Sequence, residues 1–262
     1  MNINQGINEG VKFSYNIVKG TVQQRQKKAA LLTDKVFNNL SSRIKSDEIL
    51  LNDIYTSLKI NMPEYKPIKF VREKNIKDSR EGSIDYLVEN DIPVAQVISV
   101  PMKKGKMKSL QLPTLMHELT HAVDILFNPK YTARTNRMAK QKLYDEKYIK
   151  CFDNALYHLE EFSNNAEKEK VLKQRKLDIE DWLKDKTPEE KIDCIQEVRY
   201  ALLMEDNAYR TEKKYTDIMR RNNLKTSDYD KEIDKYLFKE KAELLKQMGF
   251  ETIKKEREKL IK

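Results

Sequence analysis

The sequence predicts an α+β fold, predominantly helical, with one small sheet. Three observations carry that expectation. Of 262 residues only six are Gly and seven are Pro, too few for a turn-rich sandwich or barrel. Lys and Glu, both good helix formers, are abundant in a chain that is 35% charged. A β-branched texture bracketed by prolines is confined to the stretch between Pro63 and Pro113. Hydrophobic residues, at 39%, suffice to fill a core, which argues against disorder throughout.

Residues 11 to about 60 carry helical periodicity with few breakers. Within them Ile44, Ile49, Leu50, Ile54 and Leu58 trace one apolar stripe, and Pro63 closes the region. Three short strands are expected next: around Ile68, Phe70 and Val71, over Ser83–Val88, and over Pro93–Pro101. Within the third, Val97–Val100 reads equally as a core strand or as a sheet edge that pairs with a peptide. Lys103-Lys104-Gly105-Lys106-Met107-Lys108 reads as a basic loop, either a solubilising turn or a rim that attracts an acidic partner. From Pro113 the pattern returns to helix, with breaks at Asn128-Pro129, Thr187-Pro188, Asn222-Asn223 and Gly249. Thr187-Pro188-Glu189-Glu190 carries a Thr cap, Pro in the first turn and Glu at the third position, a capping box. These changes of texture divide the chain into an N-terminal helical region 1–62, a central region 63–180 and a C-terminal helical region 181–262.

Composition also narrows the partners. Lys+Arg number 51 against 42 Asp+Glu, a formal charge of +9. The basic residues alternate with acidic ones, as on solvated helix faces. No stripe of Arg and aromatics marks a nucleic-acid reader, so such a partner is disfavoured. No run of 18 apolar residues exists to span a membrane. The polar start Met1-Asn2-Ile3-Asn4-Gln5 lacks the pattern of a secretory signal, and a cytoplasmic location is expected. Two cysteines, Cys151 and Cys194, form neither a disulfide scaffold nor a C-x-x-C pair.

One constellation carries chemistry: His117-Glu118-Leu119-Thr120-His121, an H-E-x-x-H motif holding two of only three histidines. At this composition chance yields the pentad in roughly three chains per thousand of this length. Pro113 suits a first helical turn, and Leu115, Leu119, Ala122, Val123 and Leu126 give the helix an apolar face. Residues i and i+4 stand about 40° apart on a helix, so both imidazoles face one way and can share a Zn²⁺. Glu118 lies about 100° further round, beside the metal position rather than on it. There it can take a proton from water as general base and return it to a leaving amine as acid.

A catalytic zinc needs a third protein ligand. Asp124 is seven residues, about 10.5 Å, from His117 and is expected at most to support a ligand. The third ligand must then come from a later helix. The stretch Leu156–Glu167, with Phe152, Leu156, Leu159, Phe162 and Ala166 as its apolar stripe, is the best source. Glu160 and His158 flank that stripe from opposite edges, whereas Glu161 points away. Tyr157 and His158 are candidate oxyanion donors.

The chain resembles the gluzincin class of zinc metallopeptidases, in which an H-E-x-x-H helix is followed by a second helix that donates a Glu. His117, Glu118 and His121 match the first element, and Glu160-Glu161-Phe162-Ser163-Asn164 is similar to the start of the second in small phage- and stress-related members. The resemblance covers about residues 65–170. It implies a zincin-like sheet, Glu160 as third ligand, Asn164 as a hydrogen-bond partner behind it, and a zinc-dependent cleavage of a protein or peptide substrate. The alternative expectation is an assembly protein that keeps a zincin fold. Lys-, Asn- and Ile-rich usage suits an AT-rich bacterial or phage genome, and zincin-like proteins occur among phage virion genes. In that case the long charged helices serve a homo-oligomer or larger assembly, and the virion is the location.

Overall fold

The computed structural model describes residues 22–62, 68–74, 82–89, 92–127 and 183–226, with isolated helical positions at 170, 173, 174, 177, 180, 181, 254 and 258. These residues are mostly helical with small sheets, an α+β arrangement. None of the described helices is long and apolar enough to cross a membrane. The chain divides into two compact units, Met1–Ala133 with Thr211–Ser227, and Arg134–Arg210 with Asp228–Lys262.

The first described element of the first unit is α1 (Val22–Ser41). Its buried positions Ala29, Leu32, Thr33, Val36, Phe37 and Leu40 recur at spacings of three and four, one face of a helix. A turn follows in which Ser46 and Asp47 take left-handed backbone, at φ of 50° and 61°. It leads into β1 (Glu48–Leu50) and then α2 (Leu51–Asn61), which Met62 caps just before Pro63. Here the expectation of one continuous helical stripe is corrected. Ile49 and Ile54 are buried, but Leu50 is exposed, because Glu48–Leu50 alternates as a strand before the helix starts. On α2 the small Ser57 lies against α1 and donates to the Val36 carbonyl at 3.4 Å.

The partner of β1 is β5 (Lys106–Lys108), antiparallel, with Ile49 opposite Met107. The Lys103–Lys108 loop of the sequence reading is therefore a hairpin. Lys104 and Gly105 turn it with φ of 51° and 71°, and Lys103 and Lys106 exchange backbone hydrogen bonds of 2.9 and 3.1 Å. Met107 points into the core between the exposed Lys106 and Lys108.

The three expected strands form one sheet in the order β2-β4-β3, with β2 (Ile68–Lys74), β3 (Ser83–Glu89) and β4 (Ile92–Pro101). β2 runs parallel and β3 antiparallel to β4. Strand β2 continues through Arg72–Lys74, beyond the apolar run that announced it. Val97–Val100 lies in the central strand and is buried, so it is a core segment and no peptide can add to it as an edge.

After a 3₁₀ turn at Ser109–Gln111 comes α3 (Leu112–Phe127). It packs against α1, β3 and β4, so helix and sheet enclose it. Leu112, Leu115, Met116, Leu119, Ala122 and Val123 join the α1 and α2 residues in one core. Tyr215 and Met219, near the end of α4 (Pro188–Arg221), belong to the same core. Tyr215 stacks on Phe37 with ring centroids 4.1 Å apart and donates its hydroxyl to Asp34 at 2.7 Å.

In the second unit the described residues centre on the first part of α4, where Ile195 and Ala208 are buried; Leu183, before the turn that leads into this helix, is buried too. The capping box forms as the sequence predicts. Thr187 N–H donates to Glu190 Oε2 at 2.8 Å, and Glu190 N–H to Thr187 Oγ1 at 3.3 Å. The helix ends at Arg221, and Asn223 turns the chain with a φ of 55°.

Candidate metal centre

The centre is built on α3. A helix enclosed by α1 and the sheet buries even its polar residues: His117, Glu118, Thr120 and His121 are all buried. Burying a polar group is costly unless it finds a partner. Thr120 meets this by donating to the Met116 carbonyl one turn back, at 2.7 Å. The histidines meet it otherwise. Their rings stand edge to face, and the two Nε2 atoms approach to 3.1 Å.

That spacing suits a shared cation. Two imidazole nitrogens bound tetrahedrally to zinc at about 2.0–2.1 Å stand roughly 3.3 Å apart. The other nitrogen of His117, Nδ1, lies 3.1 Å from Oε2 of Glu212, which α4 supplies. Oε1 of Glu212 accepts from the Thr114 hydroxyl at 3.3 Å. His117, His121 and Glu205 each offer a ligand atom, all within 4.8 Å of one another, and this group could hold a metal ion. Two imidazoles and a carboxylate are a donor set that zinc accepts, as do other divalent transition metals.

The chain matches no protein-family model, no curated protein and no solved structure. The reading of the site rests on its own residues.

Glu118 stands outside this group of three candidate ligands and is 7% exposed. Gly82, the residue before β3, lies against it. A Cβ placed on Gly82 would lie 2.6 Å from both Cγ and Oε1 of Glu118, and 2.9 Å from Cδ. Only a residue without a side chain lets the strand pass this carboxylate. Asp124, one turn beyond His121, is half-buried and makes contacts of its own.

The helix brings His117 and His121 together in a group that could hold a metal ion, and Glu118 follows His117 on the same helix. Glu160, His158, Tyr157 and Asn164 lie outside the described residues. Sequence reasoning missed Glu205 and Glu212. A signal for Glu212 existed: Ala208, Glu212, Tyr215, Thr216 and Met219 are the buried stripe of α4, spaced by three and four. A carboxylate inside such a stripe needs a buried partner. Glu205 lies seven residues, two turns, before it on nearly the same face. Gly82 carried no signal, since its neighbour Glu118 is distant in sequence.

Proposed function

We propose that this chain is a zinc-dependent metallopeptidase. In this reading His117, His121 and Glu205 hold the ion, and Glu118 is the general base. The observation that carries it is the meeting of two Nε2 atoms at 3.1 Å on a buried helix, with a carboxylate one residue along that is not in the ligand group. A carboxylate buried on the same helix, next in the chain to a candidate ligand, is placed to serve as a general base.

A zinc ion bound there supplies Lewis acidity and lowers the pKa of a coordinated water to about 7. The protein supplies position. Burial of α3 keeps bulk water away and strengthens each charge interaction at the site. Gly82 confines the Glu118 carboxylate, so it accepts the proton of an attacking water and delivers it to the leaving amine from one place. Among the described residues strand β3 is an edge of its sheet, and it begins at Ser83, next to Gly82, so an extended peptide paired along it would run past Glu118.

Glu118→Gln tests this proposal. The substitution keeps size and shape but removes the base. Zinc content should stay near the wild-type value while cleavage of unfolded protein substrates, followed by mass spectrometry of the peptides, falls by two or more orders of magnitude. Equal zinc and equal cleavage in the variant would overturn the role of Glu118. Zinc bound by a wild-type chain that cleaves nothing would make the site a structural one.

A further inference from the structure

We infer that Glu212 is a positioning residue, which holds His117 in the tautomer that carries its proton on Nδ1 and so turns the Nε2 lone pair toward His121. This rests on the metal-site reading above and adds to it a group that touches neither ion nor substrate.

The geometry leaves little freedom. Neutral imidazole has one N–H and one bare nitrogen, and the partner of each decides which is which. Oε2 of Glu212 is 3.1 Å from Nδ1, and a carboxylate oxygen there accepts, so Nδ1 is the donor. The second oxygen, Oε1, is occupied by the Thr114 hydroxyl at 3.3 Å, which keeps the carboxylate from rotating away. Glu212 is 5% exposed, and in so dry a place the hydrogen bond is stronger than its equivalent in water. Thr114 lies three residues before His117 on α3, on the same side of the helix, so one carboxylate bridges both.

The consequence is an asymmetry between the two histidines. With its proton on Nδ1, His117 can only accept at Nε2. In the metal-free chain His121 must then supply the hydrogen that lies between the two Nε2 atoms, 3.1 Å apart. His117 is thus ready for a cation at all times, and α4, which carries Glu212, prepares a ligand on α3 from 95 residues away.

The test reads the tautomer directly. The chain has three histidines, so long-range ¹H–¹⁵N correlation spectra of the metal-stripped protein hold three ring systems, and His117→Gln identifies one by its loss. The wild type should show His117 protonated at Nδ1 and bare at Nε2. Glu212→Ala should populate the opposite tautomer and weaken zinc binding, measured against a competing chelator, by about 10–100-fold. Glu212→Gln, whose side-chain carbonyl still accepts, should restore the tautomer and part of the affinity. If Glu212→Ala does not fold, Thr114→Val removes the anchor instead and should weaken zinc several-fold. A wild-type His117 protonated at Nε2, or an unchanged tautomer and affinity in a folded Glu212→Ala, overturns the inference. Failure of the metal reading looks different: His117→Ala would then bind zinc as the wild type does, whatever the tautomer.

Discussion

Gly82→Ala isolates the proposed general base, Glu118, without touching a proposed metal ligand. Carbon atoms in ordinary contact stand about 3.5–4.0 Å apart. The new Cβ would meet Glu118 Cγ at 2.6 Å, about 1 Å too close, and Oε1 at the same distance. Gly82 does not occupy the left-handed region, so alanine brings no backbone strain and the whole conflict falls on the Glu118 side chain. Burial of α3 leaves that side chain nowhere easy to go. Overpacking of this kind costs about 1–3 kcal/mol of stability. A displacement of about 1 Å in a catalytic group lowers the rate roughly 100-fold. The expected result is a folded variant with wild-type zinc affinity and kcat/KM for peptide cleavage reduced by about two orders of magnitude. Zinc affinity comes from chelator competition and kcat/KM from a fluorogenic peptide. Cleavage at the wild-type rate would show that the position of Glu118 is immaterial, and with it the claim that Gly82 confines the base. Loss of zinc instead would mean that Glu118 supports the ligands rather than the water.

Two further predictions test the frame around the site. Gly105 is a glycine for the opposite reason: a Cβ there meets nothing within 4 Å, but its φ is +71°. Gly105→Ala should cost about 1 kcal/mol in chemical denaturation and leave zinc affinity unchanged; an equal cost in zinc binding would mean that the hairpin supports the site. The phenol of Tyr215 is pushed well above its ordinary value, first by burial and then by the Asp34 carboxylate it faces. Folded Tyr215 therefore keeps its proton where the unfolded chain has lost it. Its contribution to stability is whole below about pH 10 and declines above that by about 1.4 kcal/mol per pH unit. Tyr215→Phe should lower stability at neutral pH by about 1 kcal/mol, from the lost hydrogen bond to Asp34, and flatten the alkaline decline. Equal slopes from pH 10 upward in the two proteins would refute the assignment.

What the sequence determined by itself is what depends on neighbours along the chain. The facing of His117 and His121 follows from helical geometry within five residues, and the Thr187–Glu190 capping box closes within four. The three strands of the β2-β4-β3 sheet announce themselves by β-branched runs, because strand propensity and prolines act locally. Tertiary structure decided the rest. The ribbon of β1 and β5 joins Glu48 to Lys106, 58 residues on, and three-residue strands are too short to carry a periodic signal. That pairing is what turns a helical-looking stripe at Ile49 and Leu50 into a strand. Whether Val97–Val100 is edge or centre depends on which strands flank it, and no residue within it records that. Glu212 reaches His117 only because Tyr215 and Met219 seat the end of α4 in the same core as α1 and α3. A carboxylate on a charged helix looks like any other until a buried imidazole is found beside it, and only packing brings the two together.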